Sequence, residues 1–317
     1  MKIVILDSYA MNPGDLDWSS FQRFGEVKVY ERSKPEEVIT RSAGADILVV
    51  NKVKMTARVI ESLPSLKMIC VSATGYNVID MEVAHRRGIV VTNAPDYSSQ
   101  SVAQLVFAHL LNICNHTEHY AVSNRKGKWC TAPDFCYQDI PTVELAGKVM
   151  GIIGFGNIGS RVAQIALAFG MQVVAFTSKA QEQLPEGVLK VGLDSLLEMA
   201  DVVSLHCPQT AETEQLINSR RLQQMKPSAI LINTARGGLI DETAVAEALD
   251  SGKLKAYAAD VLGEEPASAS CPLLGKPNAF LTPHIAWATF EARQRLFRIC
   301  EDNIEAFIEG HPVHVVS

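Results

Sequence analysis

The stretch at residues 148–177, KVMGIIGFGNIGSRVAQIALAFGMQVVAFT, constrains the fold more tightly than any other part of the chain. A short β-rich run at 149–153 leads straight into Gly154-Phe155-Gly156-Asn157-Ile158-Gly159. A helical pattern follows, and a second apolar run closes the segment at 173–176. Strand, glycine turn, helix and strand thus fit within the roughly thirty residues of a βαβ unit. Each glycine has its own reason to be there. Gly154 permits the tight turn, Gly156 lets a pyrophosphate approach the backbone, and Gly159 lets the helix sit close to the strand. The helix start adds unpaired N–H groups and the positive end of a dipole. A GxGxxG string alone is weak evidence; inside a readable βαβ unit it points to dinucleotide binding.

The remainder of the chain sets the frame. Its 317 residues suffice for two domains of ordinary size. With 47% hydrophobic and 20% charged residues, the composition is that of a packed globular protein. A net charge of −6 without long single-sign runs argues against a nucleic-acid groove or a polybasic membrane patch. No apolar run approaches the roughly 18 residues of a membrane span. The opening MKIVILD is too short for the apolar core of a signal peptide and reads as a first buried strand. The 7 cysteines contain no CxxC pair, and several lie in apolar runs, which favours reduced thiols in a cytoplasmic protein.

Periodicity predicts strands at 2–6, 27–30, 47–50, 68–71 and 89–92, separated by helices at 35–42, 57–63 and 78–87. A single long helix is predicted from the Ser98-Ser99-Gln100-Ser101 cap to about Arg125, followed by an irregular aromatic stretch at 127–141. A second series begins at Lys148, with further strands at 202–206, 230–233, 257–261 and 280–282. Helices are predicted there at 161–169, 193–199, 219–225 and 243–251. One amphipathic helix at 288–309 ends the chain. The expectation is α/β: two Rossmann-like, doubly wound parallel-sheet units, with the glycine fingerprint opening the second. Where the last helix packs is open at this point.

Three segments lie just past predicted strand ends, the edge at which an open parallel sheet binds ligands. They are Asn233-Thr234-Ala235-Arg236-Gly237-Gly238, Asp260-Val261-Leu262-Gly263-Glu264-Glu265-Pro266 and Thr282-Pro283-His284-Ile285-Ala286. Their residue types suit hydride transfer to a 2-oxo acid. An arginine can hold the carboxylate and polarise the carbonyl. A histidine can protonate the oxygen as the hydride reaches carbon, and a carboxylate beside it can orient the ring. Arg236, His284 and Glu265 fill these roles.

With GFGNIG, HCPQTAETEQLI, NTARGGLID, DVLGEEP and TPHIAWAT in this order, the chain resembles the D-isomer-specific 2-hydroxyacid dehydrogenases over essentially its whole length. The resemblance implies that Arg236 binds substrate, that His284 is the proton donor and that Glu265 pairs with it. It implies that Asp260, Thr234 and Ala235 contact the nicotinamide side, and that Cys207, Pro208 and Thr213 line the cofactor path. It also implies a discontinuous substrate domain, 1–98 with 287–317, around a dinucleotide domain at 99–286, with catalysis in the cleft. A homodimer follows by resemblance, through the apolar helix starting near Ser98 and the loop around Trp129. Trp287, Asn51-Lys52-Val53-Lys54 and Ala73-Thr74-Gly75-Tyr76-Asn77 are similar to the glycerate dehydrogenase or hydroxypyruvate reductase branch. Asn51, Lys52, Ala73, Thr74, Gly75, Arg236 and Trp287 are therefore expected at the substrate. The implied reaction converts hydroxypyruvate or glyoxylate to D-glycerate or glycolate. Phosphoglycerate- or lactate-type dehydrogenases, and a dinucleotide-sensing corepressor-like protein, are the alternatives.

One position departs from the NAD pattern. An acid usually ends the second strand and bonds the ribose hydroxyls. Here the strand ends Phe176-Thr177-Ser178-Lys179, with no acid before Glu182. Hydroxyls and a lysine would accept the 2′-phosphate of NADP that a carboxylate repels. Thr177, Ser178 and Lys179 thus favour NADP(H), the alternative being NAD(H) with a ribose contact from Thr177 or water. His116 and His119 could share a helix face, but no ligand set completes a metal site, and none is expected. His206, ending a buried strand, reads as a satisfied core histidine.

Overall fold

Short runs rich in β-branched and aliphatic side chains, most of them followed by a short helix, build a parallel sheet in the first part of the chain. The computed structural model describes all residues, 1–317. The elements are β1 (Lys2–Ile5), α1 (Ser8–Met11), β2 (Glu26–Val29), α2 (Val38–Ser42), β3 (Ile47–Val50), α3 (Ala57–Glu61), β4 (Met68–Val71), α4 (Met81–Arg86) and β5 (Val90–Thr92). The strand order is β2-β1-β3-β4-β5, parallel throughout. β3 and β4 are buried at every position, as strands covered on both faces must be. Thr56 and Asp80 cap α3 and α4 by accepting from the Val59 and Val83 N–H groups.

The second series comprises α5 (Ser99–Asn115), α6 (Thr117–Arg125), β6 (Val149–Ile153), α7 (Asn157–Ala168), β7 (Gln172–Phe176), β8 (Val188–Lys190), α8 (Leu193–Met199), β9 (Val202–Leu205), α9 (Ser219–Gln224), β10 (Ile230–Asn233), α10 (Glu242–Asp250), β11 (Ala256–Ala259) and β12 (Ala279–Leu281). Its seven-stranded sheet runs β12-β11-β10-β9-β6-β7-β8, again all parallel. Side chains alternate between two layers: Ile230 and Ile232 join the core with Val106, Leu110 and Val162, whereas Leu231 joins Leu205, Val245 and Tyr257 on the other face. The order turns back at β6 and β9, so their C-terminal ends open the crevice where such sheets take ligands.

Three departures from the sequence expectations have physical causes. The helix predicted as continuous to Arg125 breaks at His116, which adopts a left-handed φ of 51°. Asn112 accepts from Thr117 Oγ1 and the Glu118 N–H and so starts α6 afresh. β8, three residues at the sheet edge with two exposed side chains, carries too little apolar pattern to be read. The apolar surface of α5 is covered by α7, β10 and β11 within its own unit, so it does not by itself demand a partner chain.

The last helix, α11 (Phe290–Ile308), is capped by Thr289, which accepts from the Ala292 N–H. It buries Ala292, Leu296, Phe297, Cys300 and Ile304 with Ile3, Ile5 and Met68 of the first sheet. Arg293 clamps Asp15 with both terminal nitrogens at 2.5 and 2.6 Å. The chain therefore forms two compact units: Met1–Ser98 with Trp287–Ser317, and Ser99–Ala286.

Candidate active site

In the second unit, the β6–α7 turn is shaped by what glycine leaves out. Gly154 has φ +93°, and a Cβ there would lie 2.5 Å from the Cys207 nitrogen; a Cβ on Gly159 would lie 2.2 Å from the Gly154 oxygen. A Cβ on Gly156 would meet nothing within 4 Å, so this residue faces open space. Asn157 and Ile158 then start α7 with no side-chain cap on its first N–H groups. A cavity of about 630 Å³ opens here, lined by residues 154–156, 176–179 and 206–208. The predicted Thr177, Ser178, Lys179, Cys207 and Pro208 are all on its wall. Phe155 is also on the wall but 4% exposed, its ring packed into the core.

The β7 end is cationic. Lys179 Nζ stands 5.8 Å from the Phe155 ring centre, and its N–H donates to Thr177 Oγ1 at 3.2 Å. Lys190, from the unread strand β8, donates from Nζ to the Lys179 carbonyl at 2.6 Å and brings a second cation to this corner. His206, expected as a satisfied histidine at a buried strand end, also lines the cavity. It bonds Ser204 Oγ at 2.8 Å, and burial pushes its imidazole down to about 3, so the ring is neutral.

Past β10, the buried Asn233 staples the loop. Its Oδ1 accepts from the Ala235 N–H at 3.0 Å, and its Nδ2 donates to the Arg236 carbonyl at 2.9 Å. Arg236 is left exposed, with Nη1 on the Ala235 carbonyl at 2.6 Å. Thr234 Oγ1 is buried without a hydrogen-bond partner. Thr213 uses its hydroxyl within its own loop, donating to the Pro208 carbonyl at 2.7 Å and accepting from the Thr210 N–H at 2.7 Å. It thus shapes the loop rather than offering a free hydroxyl to a cofactor.

Past β11 and β12, His284 and Glu265 meet, with Nδ1 2.6 Å from Oε2. The Glu265 Oε1 accepts from the Leu262 N–H at 3.0 Å, which fixes the carboxylate. The side chains are 30% and 38% exposed, so the pair is reachable from outside. Asp260 stands differently from the contact expected at a nicotinamide: it is 1% exposed and bonded to the chain itself. Its Oδ1 accepts from Thr282 Oγ1 and the Ile285 N–H, and its Oδ2 from the Ala286 N–H. Neither Asn233 nor this network was found by sequence reasoning; both are polar residues at buried strand ends, which was the available signal.

In the first unit, Asp7, two residues past β1, accepts three successive N–H groups, from Asn51, Lys52 and Val53, at 2.8, 2.6 and 3.0 Å. Burial nevertheless outweighs these bonds and pushes its carboxyl above the usual range. Asn51, expected at the substrate, is 4% exposed and donates from Nδ2 to the Ser72 carbonyl at 2.6 Å. This bond ties two strand-end loops together. Lys52 is exposed beside it. Ala73 and Thr74 are held to the next strand end, the Thr74 hydroxyl donating to the Ala94 carbonyl at 2.9 Å, while Gly75 follows half-buried. Trp287 packs edge-on to Tyr97, ring centres 6.3 Å apart. His119 does not join His116 in a cluster; its Nε2 lies 3.0 Å from Asp139 Oδ2.

The open Gly156, the uncapped helix start and the orphaned Thr234 hydroxyl fit a dinucleotide on the second unit, with its phosphates at the turn. Comparison with known proteins agrees. The family model described as "D-isomer specific 2-hydroxyacid dehydrogenase, NAD binding domain" matches residues 107–286. The chain is 45% identical to a hydroxypyruvate reductase of Blautia hydrogenotrophica, over 100% of both chains. It is 40% identical to a glycerate dehydrogenase of Methylorubrum extorquens, over 100% of this chain and 99% of that one. Among solved structures, an acyclic imino acid reductase in complex with NADPH and D-Arg superposes with a TM-score of 0.86, at 33% identity and full coverage of both chains. Dinucleotide turn, paired histidine and glutamate, and full-length relatives together lead to one statement: the chain belongs to the D-isomer specific 2-hydroxyacid dehydrogenase family.

Proposed function

We propose that this enzyme reduces hydroxypyruvate to D-glycerate, and glyoxylate with it to glycolate, with NADPH preferred over NADH. The carrying observation is the His284–Glu265 pair, 2.6 Å apart, on the unit that also holds the glycine turn. When bound, the reduced nicotinamide supplies a hydride to C2 of the oxo acid. Glu265 occupies Nδ1 of His284, which leaves Nε2 as the nitrogen that gives the proton to the carbonyl oxygen. Arg236 grips the carboxylate and polarises the carbonyl with its planar fork of donors. Thr234 and Ala235 border the nicotinamide side, and Asp260 acts by holding the His284 loop. On the first unit, Lys52, the N–H groups at 73–75 and Trp287 are the substrate contacts of this reading. The choice of acid rests on the names of the two full-length relatives.

The cofactor preference rests on charge. No acid follows β7 before Glu182, and two lysines, Lys179 and Lys190, meet there beside the Thr177 and Ser178 hydroxyls. That corner attracts a 2′-phosphate and lacks the carboxylate that would repel it. We also propose a cytoplasmic homodimer. All seven cysteines are free, and the segment after α6 leaves Trp129 at 56% and Phe135 at 89% exposure, an aromatic surface that a second copy would cover. Sedimentation at the monomer mass would remove the dimer.

The reaction is tested by following absorbance loss of NADPH and NADH with hydroxypyruvate, glyoxylate, pyruvate and longer 2-oxo acids. Fast turnover of hydroxypyruvate with NADPH is expected. Turnover with NADH alone would sink the 2′-phosphate site, and cofactor binding without turnover of any acid would sink the reductase reading.

A further inference from the structure

Behind the His284 loop lies a chain of buried polar groups that no step of the reaction touches. His109 is on α5, between the buried Phe107 and Leu110, and is itself 7% exposed. Its Nε2 lies 3.3 Å from Thr282 Oγ1. Thr282 donates to Asp260 Oδ1 at 2.6 Å. The same carboxylate accepts the Ile285 and Ala286 N–H groups at 2.8 and 2.7 Å, and the Asp260 carbonyl accepts the His284 N–H at 2.8 Å. Every backbone N–H from 284 to 286 is thus held by one residue.

This loop needs holding. His284 adopts a left-handed φ of 53°, a conformation that costs a non-glycine residue roughly 1 to 2 kcal/mol. A hydroxyl has a single proton, and Thr282 has a second acceptor within reach, the Ala259 carbonyl at 3.5 Å. A donor approaching the Thr282 oxygen from the other side fixes which way that proton points. Burial holds the His109 imidazole below its usual range despite the opposing pull of Asp260, so the ring is neutral and donates from one nitrogen only. An apolar side chain at 109 would suit the core equally well by volume but could not direct the hydroxyl.

We propose that His109 is a positioning residue for the reaction: its Nε2–H donates to Thr282, which aims that hydroxyl at Asp260 and so fixes the loop that presents His284 to Glu265. The inference rests on the reading of His284 as proton donor. His109→Leu removes the donor, His109→Gln keeps an N–H group at similar reach, and Thr282→Val removes the middle of the relay. For each variant, kcat and KM are measured with hydroxypyruvate and NADPH, cofactor Kd by nicotinamide fluorescence, and Tm by melting, with His284→Gln run alongside.

The Leu and Val variants are expected to lose kcat about tenfold, the rate equivalent of one hydrogen bond, with KM and cofactor Kd held. The Gln variant is expected to recover most of that loss. Wild-type kcat in both His109→Leu and Thr282→Val would overturn the relay, as would a Gln variant no faster than Leu. Wild-type kcat in His284→Gln would instead overturn the underlying reading, and the relay with it.

Discussion

His284 can act as an acid from only one ring nitrogen, because Glu265 holds the other at 2.6 Å. Arg236 can act as a clamp only because its backbone is held by Asn233 while its side chain stays exposed. These are different kinds of dependence, and they predict different kinetics. Arg236→Lys keeps the charge but loses the planar fork, so KM for the oxo acid should rise and kcat/KM fall roughly a hundredfold, the size of a lost bidentate charge-assisted pair. Steady-state kinetics checks this, and unchanged values would mean that Arg236 does not grip the carboxylate. Thr177→Asp introduces a carboxylate beside Lys179. The ratio of kcat/KM for NADPH to that for NADH should fall at least about tenfold; an unmoved ratio would separate cofactor choice from the β7 end.

At the scale of elements, the strands other than β8 were legible because burial on both faces writes continuous apolar runs, as in Ile47-Leu48-Val49-Val50. The break between α5 and α6 was not, because nothing in the apolar pattern marks a single left-handed residue. That break carries its own prediction. With φ at 51°, His116→Gly should be more stable than His116→Val by about 1 to 2 kcal/mol, read from denaturant midpoints. Equal midpoints would mean that the two helices fuse in solution. The sequence marked the glycine turn, which lines the cavity, and the His284–Glu265 contact, because their residue types and spacing need no partner to be recognised. The bonding pattern around these residues was not legible, because it depends on which loops the fold brings together. The Asn51 amide nitrogen and the Thr213 hydroxyl, for example, bond the chain itself, to the Ser72 and Pro208 carbonyls. Asp7 and Thr282 look unremarkable, yet they hold loops in place.

For the molecule as a whole, two histidines of the second unit are held neutral by burial, His206 at about 3 and His109 below its usual range. Both have their folded-state pKa lowered from 6.5. The unfolded chain therefore binds more protons below that pH. The pair costs nothing above about pH 6.5 and erodes stability progressively as pH falls below that, in the case of His206 down to about 3. Tm should drop between pH 7.5 and pH 5, and drop less in His206→Gln; identical slopes would assign the acid sensitivity elsewhere. The central claim joins the dinucleotide unit to the proton donor, and its most direct measurement is His284→Gln with hydroxypyruvate and NADPH. Nicotinamide fluorescence should report an unchanged cofactor Kd while kcat falls about a hundredfold or more. A variant that binds NADPH normally and still turns over at the wild-type rate would contradict the account.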